Sequence, residues 1–294
     1  MKLNQKFSKL ALVACTLVAG QSFATEGGGS MYPAGAANFT CCALPPPGTY
    51  GIVDVESYRA TELRDNSGNK LNIPGFKLNV NAASARFVRV TEQQVLGGSL
   101  AVHAIVPVLS VDVAGVQKKT GVGDIVFGPA IGWHHSSNLH TVAAIDIFAP
   151  TGAYSKTEAV NVGRNYWATH LLGGVSWIDP TGWNADAKVM YGINGKNKDT
   201  DYRSGDEFIV DYALGWGFGN GLTAGVGGYI YRQVTDDTGS GATSPNRGRA
   251  NAIGPSLKYD SGKGWFVTAK YQAESGVRNR AAGDAFLVKA VFPF

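Results

Sequence analysis

Phe208-Ile209-Val210-Asp211-Tyr212-Ala213-Leu214-Gly215-Trp216-Gly217-Phe218 is the stretch that decides the fold. Phe208, Val210, Tyr212, Leu214, Trp216 and Phe218 fall on one face of an extended chain, and Asp211, Ala213, Gly215 and Gly217 on the other. Successive side chains of a strand point to opposite faces, so this is a strand with one large apolar side and one small or polar side. The pattern returns at 183–191, where Trp183, Ala185, Ala187, Val189 and Tyr191 oppose Asn184, Asp186 and Lys188. It returns again at 265–274, where Trp265, Val267, Ala269, Tyr271 and Ala273 oppose Thr268, Lys270, Gln272 and Glu274. About twelve such segments occur, near 50–60, 76–90, 96–108, 123–134, 139–149, 163–178, 182–192, 206–218, 221–232, 250–260, 264–274 and 284–294, and no run has the helical period. In the second segment Arg86 interrupts the apolar side, which predicts a bulge or a misplaced boundary there. The chain is all-β.

The connections sort by length. Short ones near 134–138, 179–181, 219–220 and 261–263 alternate with long polar ones near 61–75, 109–122, 150–162, 193–205, 233–249 and 275–283. If the strands run up and down, every long loop falls at one end and every short turn at the other. A transmembrane antiparallel barrel of the bacterial outer membrane has this asymmetry and an even strand count, whereas a soluble sandwich has no reason for it. Aromatics cluster at segment ends (Trp133, Trp167, Trp177, Trp183, Trp265), as two interfacial girdles require. The opposite faces carry Asp54, Glu56, His103, Asp146, His170, Asp186, Lys188, Asp211, Lys258, Lys270, Glu274 and Lys289, costly in a dry core and cheap in a watered lumen. The chain ends on alternating Phe286, Phe292 and Phe294, which resembles the C-terminal signal read by the barrel-assembly machinery.

Composition excludes other classes. Only 16% of the 294 residues are charged, against roughly 25% in soluble domains, while 44% are hydrophobic and 39 are glycine. No run of eighteen apolar residues exists, which excludes a helical membrane protein. Residues 1–24 read as a secretory signal peptide: Lys2, Lys6 and Lys9, an apolar run from Leu10 to Gly20, then Ser22-Phe23-Ala24. Leu12-Val13-Ala14-Cys15 also fits a loose lipoprotein cleavage pattern, at the expense of a halved apolar run. Without the leader 23 basic residues face 22 acidic ones, a net +1 with no basic stripe, so no nucleic-acid partner is implied. Cys41 and Cys42 are adjacent and close no loop; they are a strained vicinal disulfide or two free thiols, with no Cys-x-x-Cys redox spacing.

Several blocks together resemble one family. They are Glu26-Gly27-Gly28 with Tyr32-Pro33-x-Gly35, the segment Ala43-Leu44-Pro45-Pro46-Pro47-Gly48-Thr49-Tyr50, Gly123-Asp124-Ile125-x-Phe127-Gly128-Pro129 with Gly132-Trp133, and Phe148-Ala149-Pro150-Thr151-Gly152-x-Tyr154. The chain resembles the phenol-degradation meta-pathway family of outer-membrane transporters from aromatic-catabolic gene clusters. That resemblance implies passage of a small hydrophobic, aromatic molecule across the outer membrane and brings no catalytic residue, cofactor or metal with it.

The expected organisation is a signal peptide (1–24), a Gly/Pro-rich segment (25–49) and a barrel (50–294). A channel for hydrophobic molecules needs a gate against leakage, so 25–49, with Tyr32, Phe39 and the stiff Pro45-Pro46-Pro47, is expected to enter the lumen from the periplasmic side as a plug. A loose periplasmic extension is the alternative. Phe148, Tyr166, Tyr229 and Tyr231 are expected to point inward and line the substrate path. His103, His140 and His170, with Asp146 near His140 in sequence, lack the short spacing of metal ligands, and His134-His135 falls in a turn. An enzyme acting on lipids or esters would need a Ser/His pair; Gly-x-Ser-x-Gly is absent, and Ser99 near His103 faces the lumen. Gly215–Gly219 and Gly225–Gly228 lie within strands with no helix after them, so they are not phosphate loops. The function expected is passive uptake through a channel, with a barrel enzyme or an adhesive surface barrel as alternatives. Outer-membrane lipid is the expected surrounding.

Overall fold

The computed structural model describes residues 26–294, and the leader expected at 1–24 lies outside the described residues. Twelve strands form one sheet: β1 (Gly48–Arg64), β2 (Leu78–Val95), β3 (Gly98–Val113), β4 in two pieces (Gln117–Val122 and Ile125–His134), β5 (Leu139–Ala149), β6 (Ala168–Trp177), β7 (Trp183–Asn194), β8 (Glu207–Gly217), β9 (Leu222–Gln233), β10 (Arg249–Asp260), β11 (Phe266–Arg278) and β12 (Arg280–Pro293). Each pairs antiparallel with the next, and β12 returns to β1 from Tyr50↔Pro293 to Arg64↔Arg280, closing the barrel. Closure removes the free edges along the barrel, so the strands satisfy most of their backbone groups within the sheet, as a structure immersed in lipid must. Among the described residues no helix is long and apolar enough to cross a membrane.

The expected strands are all present and in order. The outer face carries Val53, Val55, Phe87, Val102, Val106, Phe127, Ile145, Leu171, Val189, Leu214, Ile253, Leu257 and Phe286, all exposed. Trp177, Trp183, Trp216, Phe218, Tyr259 and Trp265 are also exposed and ring the short-turn end; Trp183 meets Trp216 edge-on at 5.5 Å and Tyr259 lies 5.9 Å from Trp265. Asp186 is buried inside while Val189 is exposed outside. A charge on the lipid face would cost about 2–4 kcal/mol at mid-bilayer, so the ionisable residues of the central strands turn inward.

Three expectations change. First, 109–122 and 275–283 are not long loops. β3 and β4 continue as a hairpin, paired from Val108↔Val122 to Val113↔Gln117, and β11 joins β12 at Asn279 alone, whose φ of 51° is one that asparagine accepts readily. On the β3–β4 hairpin the outward face turns polar (Ser110, Asp112, Lys118, Thr120) while Leu109, Val111 and Val113 keep the other side of β3 apolar, so the large apolar outward side that reveals a strand is lost. Second, Arg86 marks no bulge. Pairing is regular from Leu78 to Val90, with Arg86 on the inner face, and the register slips only between Val90 and Gln94. Third, the N-terminal segment runs the other way. Glu26 lies at the long-loop end, bonded to Asn197 and Thr200, and Leu44 lies against Gly132 near the short-turn end. The segment therefore descends the lumen before β1 climbs back.

The long loops are tied to one another. Lys196–Asn197, Tyr202–Arg203 and Thr238–Gly239 make a small second sheet above the barrel. Asp236 accepts from Arg247 Nε (2.8 Å) and Ser244 Oγ (2.8 Å), which holds its carboxyl below the usual range.

Candidate functional site

Gly35, Ala36, Ala37 and Cys41 belong to a segment with little regular structure of its own, so their backbone groups must find partners in the wall. The inner charges supply them. Asp211 takes three donors: Gly35 N–H on Oδ1 (2.7 Å), and Ala37 N–H (2.9 Å) and the Tyr32 hydroxyl (2.6 Å) on Oδ2. Lys270 donates to the Ala37 carbonyl (2.7 Å), Lys289 to that of Ala36 (3.0 Å) and Gln272 to that of Ala34 (3.1 Å). Lower down, Ser256 donates to Asn38 Oδ1 (2.5 Å), Lys258 to Thr40 (2.8 Å), and Asp186 and Ser176 accept from Cys41 N–H and Cys42 N–H (3.0 Å each). At the top Ser30 donates to Glu207 (2.8 Å) and Arg164 to the Glu26 carbonyl (2.8 Å). The charges are thus engaged chiefly by the segment rather than by the open water expected for the lumen. Bonds to charged groups contribute about 1.5–3 kcal/mol each, so this clasp holds the segment by several such contributions.

Tyr32 sits at its centre. The ring packs against two buried clusters, one of Val126, Phe148, Tyr166 and Ala168 and one of Met190, Ile209, Tyr229, Tyr231, Ala250, Ala252 and Val277. Lys188 Nζ lies 4.3 Å from the ring centroid and donates to the hydroxyl (2.8 Å). The His170 ring lies 6.5 Å away and stacks at a tilt on Phe148 at 4.6 Å. Phe148, Tyr166, Tyr229 and Tyr231 all point into the barrel and are buried. The tyrosine hydroxyls are taken: Tyr231 donates to Glu207 (2.6 Å), Tyr229 to Glu274, and Tyr166 to Ser204 (3.5 Å). Phe39 is buried where a Cβ on Gly215 would meet it at 2.7 Å, so the glycine makes room for the segment. Pro45, Pro46 and Pro47 stand at the short-turn mouth, where Tyr50 donates to the Pro46 carbonyl (2.8 Å).

The histidines separate. His103 Nε2 pairs with Asp146 at 3.0 Å, so Asp146 serves His103 and not its sequence neighbour His140. His140 faces His134 across the β4–β5 ladder with the two Nδ1 atoms 2.6 Å apart, which places His134 at a strand end rather than in a turn. Neither ring nitrogen of His170 has a hydrogen-bond partner among the described residues, although the side chain is fully buried. Ser99 pairs in register with Gly132 on β4. Cys41 and Cys42 are free thiols with Sγ atoms 2.6 Å apart, and Cys42 is buried where a Cβ on Gly174 would strike its sulfur. Among the described residues no cluster of three histidine, cysteine or acidic side chains has the arrangement of a metal site. Phe286 and Phe294 are exposed on the outer face; Phe294 stacks on Phe87 at 6.2 Å and meets Phe292 edge-on at 5.4 Å.

The wall is not uniform. The β11–β12 ladder ends at Ala273↔Asp284. Above it Glu274 accepts from the Gly283 amide (2.9 Å) and from Tyr58 (2.9 Å), and a cavity of about 510 Å³ opens, lined by Tyr271, Ala273, Glu274, Arg249 and Asp284.

The fold is shared with solved structures. An outer membrane channel from Pseudomonas putida F1, named COG4313, superposes with a TM-score of 0.78 at 17% identity, covering 88% of this chain and 99% of that one. The β-domain of the Bordetella autotransporter BrkA superposes with a TM-score of 0.51 at 10% identity, covering 84% of this chain and 100% of that one. At these identities the likeness is one of fold. No curated protein matches the chain in sequence. The family model described as "Putative MetA-pathway of phenol degradation" matches residues 60–290, and the chain belongs to that family.

Proposed function

We propose that the chain is a passive channel of the bacterial outer membrane for small hydrophobic, aromatic compounds, with residues 26–47 as its plug. The observation that carries this reading is the lumen itself: a barrel with an apolar outside whose interior is occupied by a segment clasped through Asp211, Lys270 and Lys289. Covalent continuity with β1 keeps the segment at the mouth after release, so the path is gated rather than permanently shut. Phe148, Tyr166, Tyr229 and Tyr231 are the wall along which an aromatic would pass. Membership of a phenol-degradation family supports an aromatic cargo. Residues 1–24 direct export, Phe286, Phe292 and Phe294 present the C-terminal strand to the assembly machinery, and the outer aromatics settle in lipid. No bond chemistry is assigned to the barrel.

The test is uptake of labelled toluene by intact cells, with and without the gene, at a concentration where permeation limits entry. Deletion lowers uptake and the gene restores it. Leu44 Cβ lies 3.0 Å from where a Cβ on Gly132 would stand, so a shift of about half an ångström brings the pair to disulfide spacing, and a disulfide between Leu44→Cys and Gly132→Cys, with Cys41 and Cys42 changed to serine, fixes the segment. This pair fails to restore uptake until reduced. Uptake indifferent to the gene overturns the channel reading, and full restoration by the locked pair overturns the plug.

A further inference from the structure

We infer that the socket holding Tyr32 is a binding subsite for phenols, and that a free phenol competes with Tyr32 for it. The inference rests on the reading of the barrel as a path for aromatics and narrows the cargo to hydroxylated rings. Tyrosine carries a phenol, and the wall treats this one as a ligand. Its hydroxyl donates to Asp211 Oδ2 at 2.6 Å and accepts from Lys188 Nζ at 2.8 Å, so both the donor and the acceptor character of a neutral phenol are matched. The same ammonium lies 4.3 Å from the ring centroid, a cation–π contact any phenol would reproduce. Aromatic and aliphatic side chains close the ring in from both sides.

The second observation is His170, fully buried beside the ring with both nitrogens unpartnered among the described residues. Buried polar groups are nearly always paired. The segment leaves this one unused, so the socket holds more polar capacity than Tyr32 needs. A site with paired groups for a hydroxyl discriminates strongly against a ring without one, because the empty pairing leaves a buried carboxylate and a half-buried ammonium short of a partner. Benzene therefore enters the socket poorly and phenol well. Tyr32 is tethered, so its effective concentration at the socket is on the order of millimolar, and a free phenol must exceed that competition before it binds and releases the segment.

The experiment uses the full mature chain in detergent, with para-fluorophenol and fluorobenzene observed by fluorine NMR. Tyr32→Ala empties the socket and is expected to bind para-fluorophenol at least about tenfold more tightly than the unchanged protein, a gain that fluorobenzene does not share. Tyr32→Phe keeps the ring in place and shows no gain, and Lys188→Met in the Tyr32→Ala background removes most of it. Equal gains for both probes, or no gain in a folded Tyr32→Ala barrel, overturn the proposal. If that variant does not fold, the unchanged protein decides: saturating phenol must accelerate thiol labelling of Cys42 where benzene does not, and equal rates overturn the proposal. Cell uptake of the two probes separates this failure from that of the channel. Gene-dependent uptake without phenol preference keeps the channel and removes the socket. Socket binding with gene-independent uptake does the reverse.

Discussion

Asp211→Asn should release the segment from the lumen. The carboxylate holds Gly35 N–H on one oxygen and Ala37 N–H with the Tyr32 hydroxyl on the other. An amide has one acceptor oxygen. Turned to keep Ala37 and Tyr32, it sets an NH2 group against the Gly35 amide, so one charge-assisted bond worth about 1.5–3 kcal/mol is lost and replaced by opposed donors. The two surviving bonds fall from charged to neutral, about 0.5–1 kcal/mol each. The total, about 2.5–5 kcal/mol, raises the ratio of released to docked segment by roughly 60- to 4,000-fold. Cys42 reports that ratio directly, because it belongs to the segment, is buried against the wall while the segment is docked, and, with Cys41, is one of only two thiols after residue 24. When opening and closing are fast, labelling of a buried group follows the open population. Under reducing conditions maleimide labelling of Cys42 should therefore accelerate by about the same factor, with a parallel rise in conductance across planar bilayers. A folded Asp211→Asn barrel that labels at the unchanged rate would refute the assignment of Asp211 as the principal clasp.

Other expected outcomes follow from the same geometry. Gly132→Val places a side chain where Leu44 packs within 3.0 Å, loosening the segment at its exit; bilayer conductance should rise while the barrel's circular dichroism stays the same. A spin label at Val189 should relax with oxygen dissolved in lipid, and one at Asp186 with a water-soluble reagent; the reverse pattern would invert the register of β7. Phe294→Ala removes the stack on Phe87, worth only about 0.5–1.5 kcal/mol, so the assembled barrel should be nearly as stable as before while its outer-membrane yield falls severalfold; an unchanged yield would remove the recognition role given to the terminal phenylalanines.

The strands were legible because lipid and lumen impose opposite chemistry on alternate residues. Phe208 to Phe218 shows this at its clearest: Leu214 and Trp216 are exposed outside, while Ile209, Asp211 and Ala213 are buried inside. Around Ala114 the outward side turns polar, and at the β11–β12 turn the buried Val277 and Asn279 sit among charged residues, so neither stretch kept the apolar outward side that marks a strand and both read as loops. Arg86 misled for a related reason. An arginine is a fault only on a face that must stay apolar, and the inner face of β2 has no such requirement.

The direction of the N-terminal segment was illegible for a deeper reason. Its partners lie far off in the chain, with Glu26 meeting Asn197 and Ala37 meeting Lys270, and nothing in the spacing of a Gly/Pro-rich stretch encodes which end of a barrel it meets first. The information sits instead in the wall. Asp211 and Lys270 look in the sequence like hydrated lumen charges, yet each is nearly fully buried and bonded to backbone groups of one short stretch of the segment. A lumen designed only for water would scatter its charges, since each is solvated alone. Here a carboxylate faces amide N–H groups while ammonium groups face carbonyls at 36 and 37. That matching of sign to backbone polarity distinguishes a receptor for a peptide segment from a polar pore. Each bond of the clasp is also individually replaceable by water, which the release proposed for a guest at the place of Tyr32 requires.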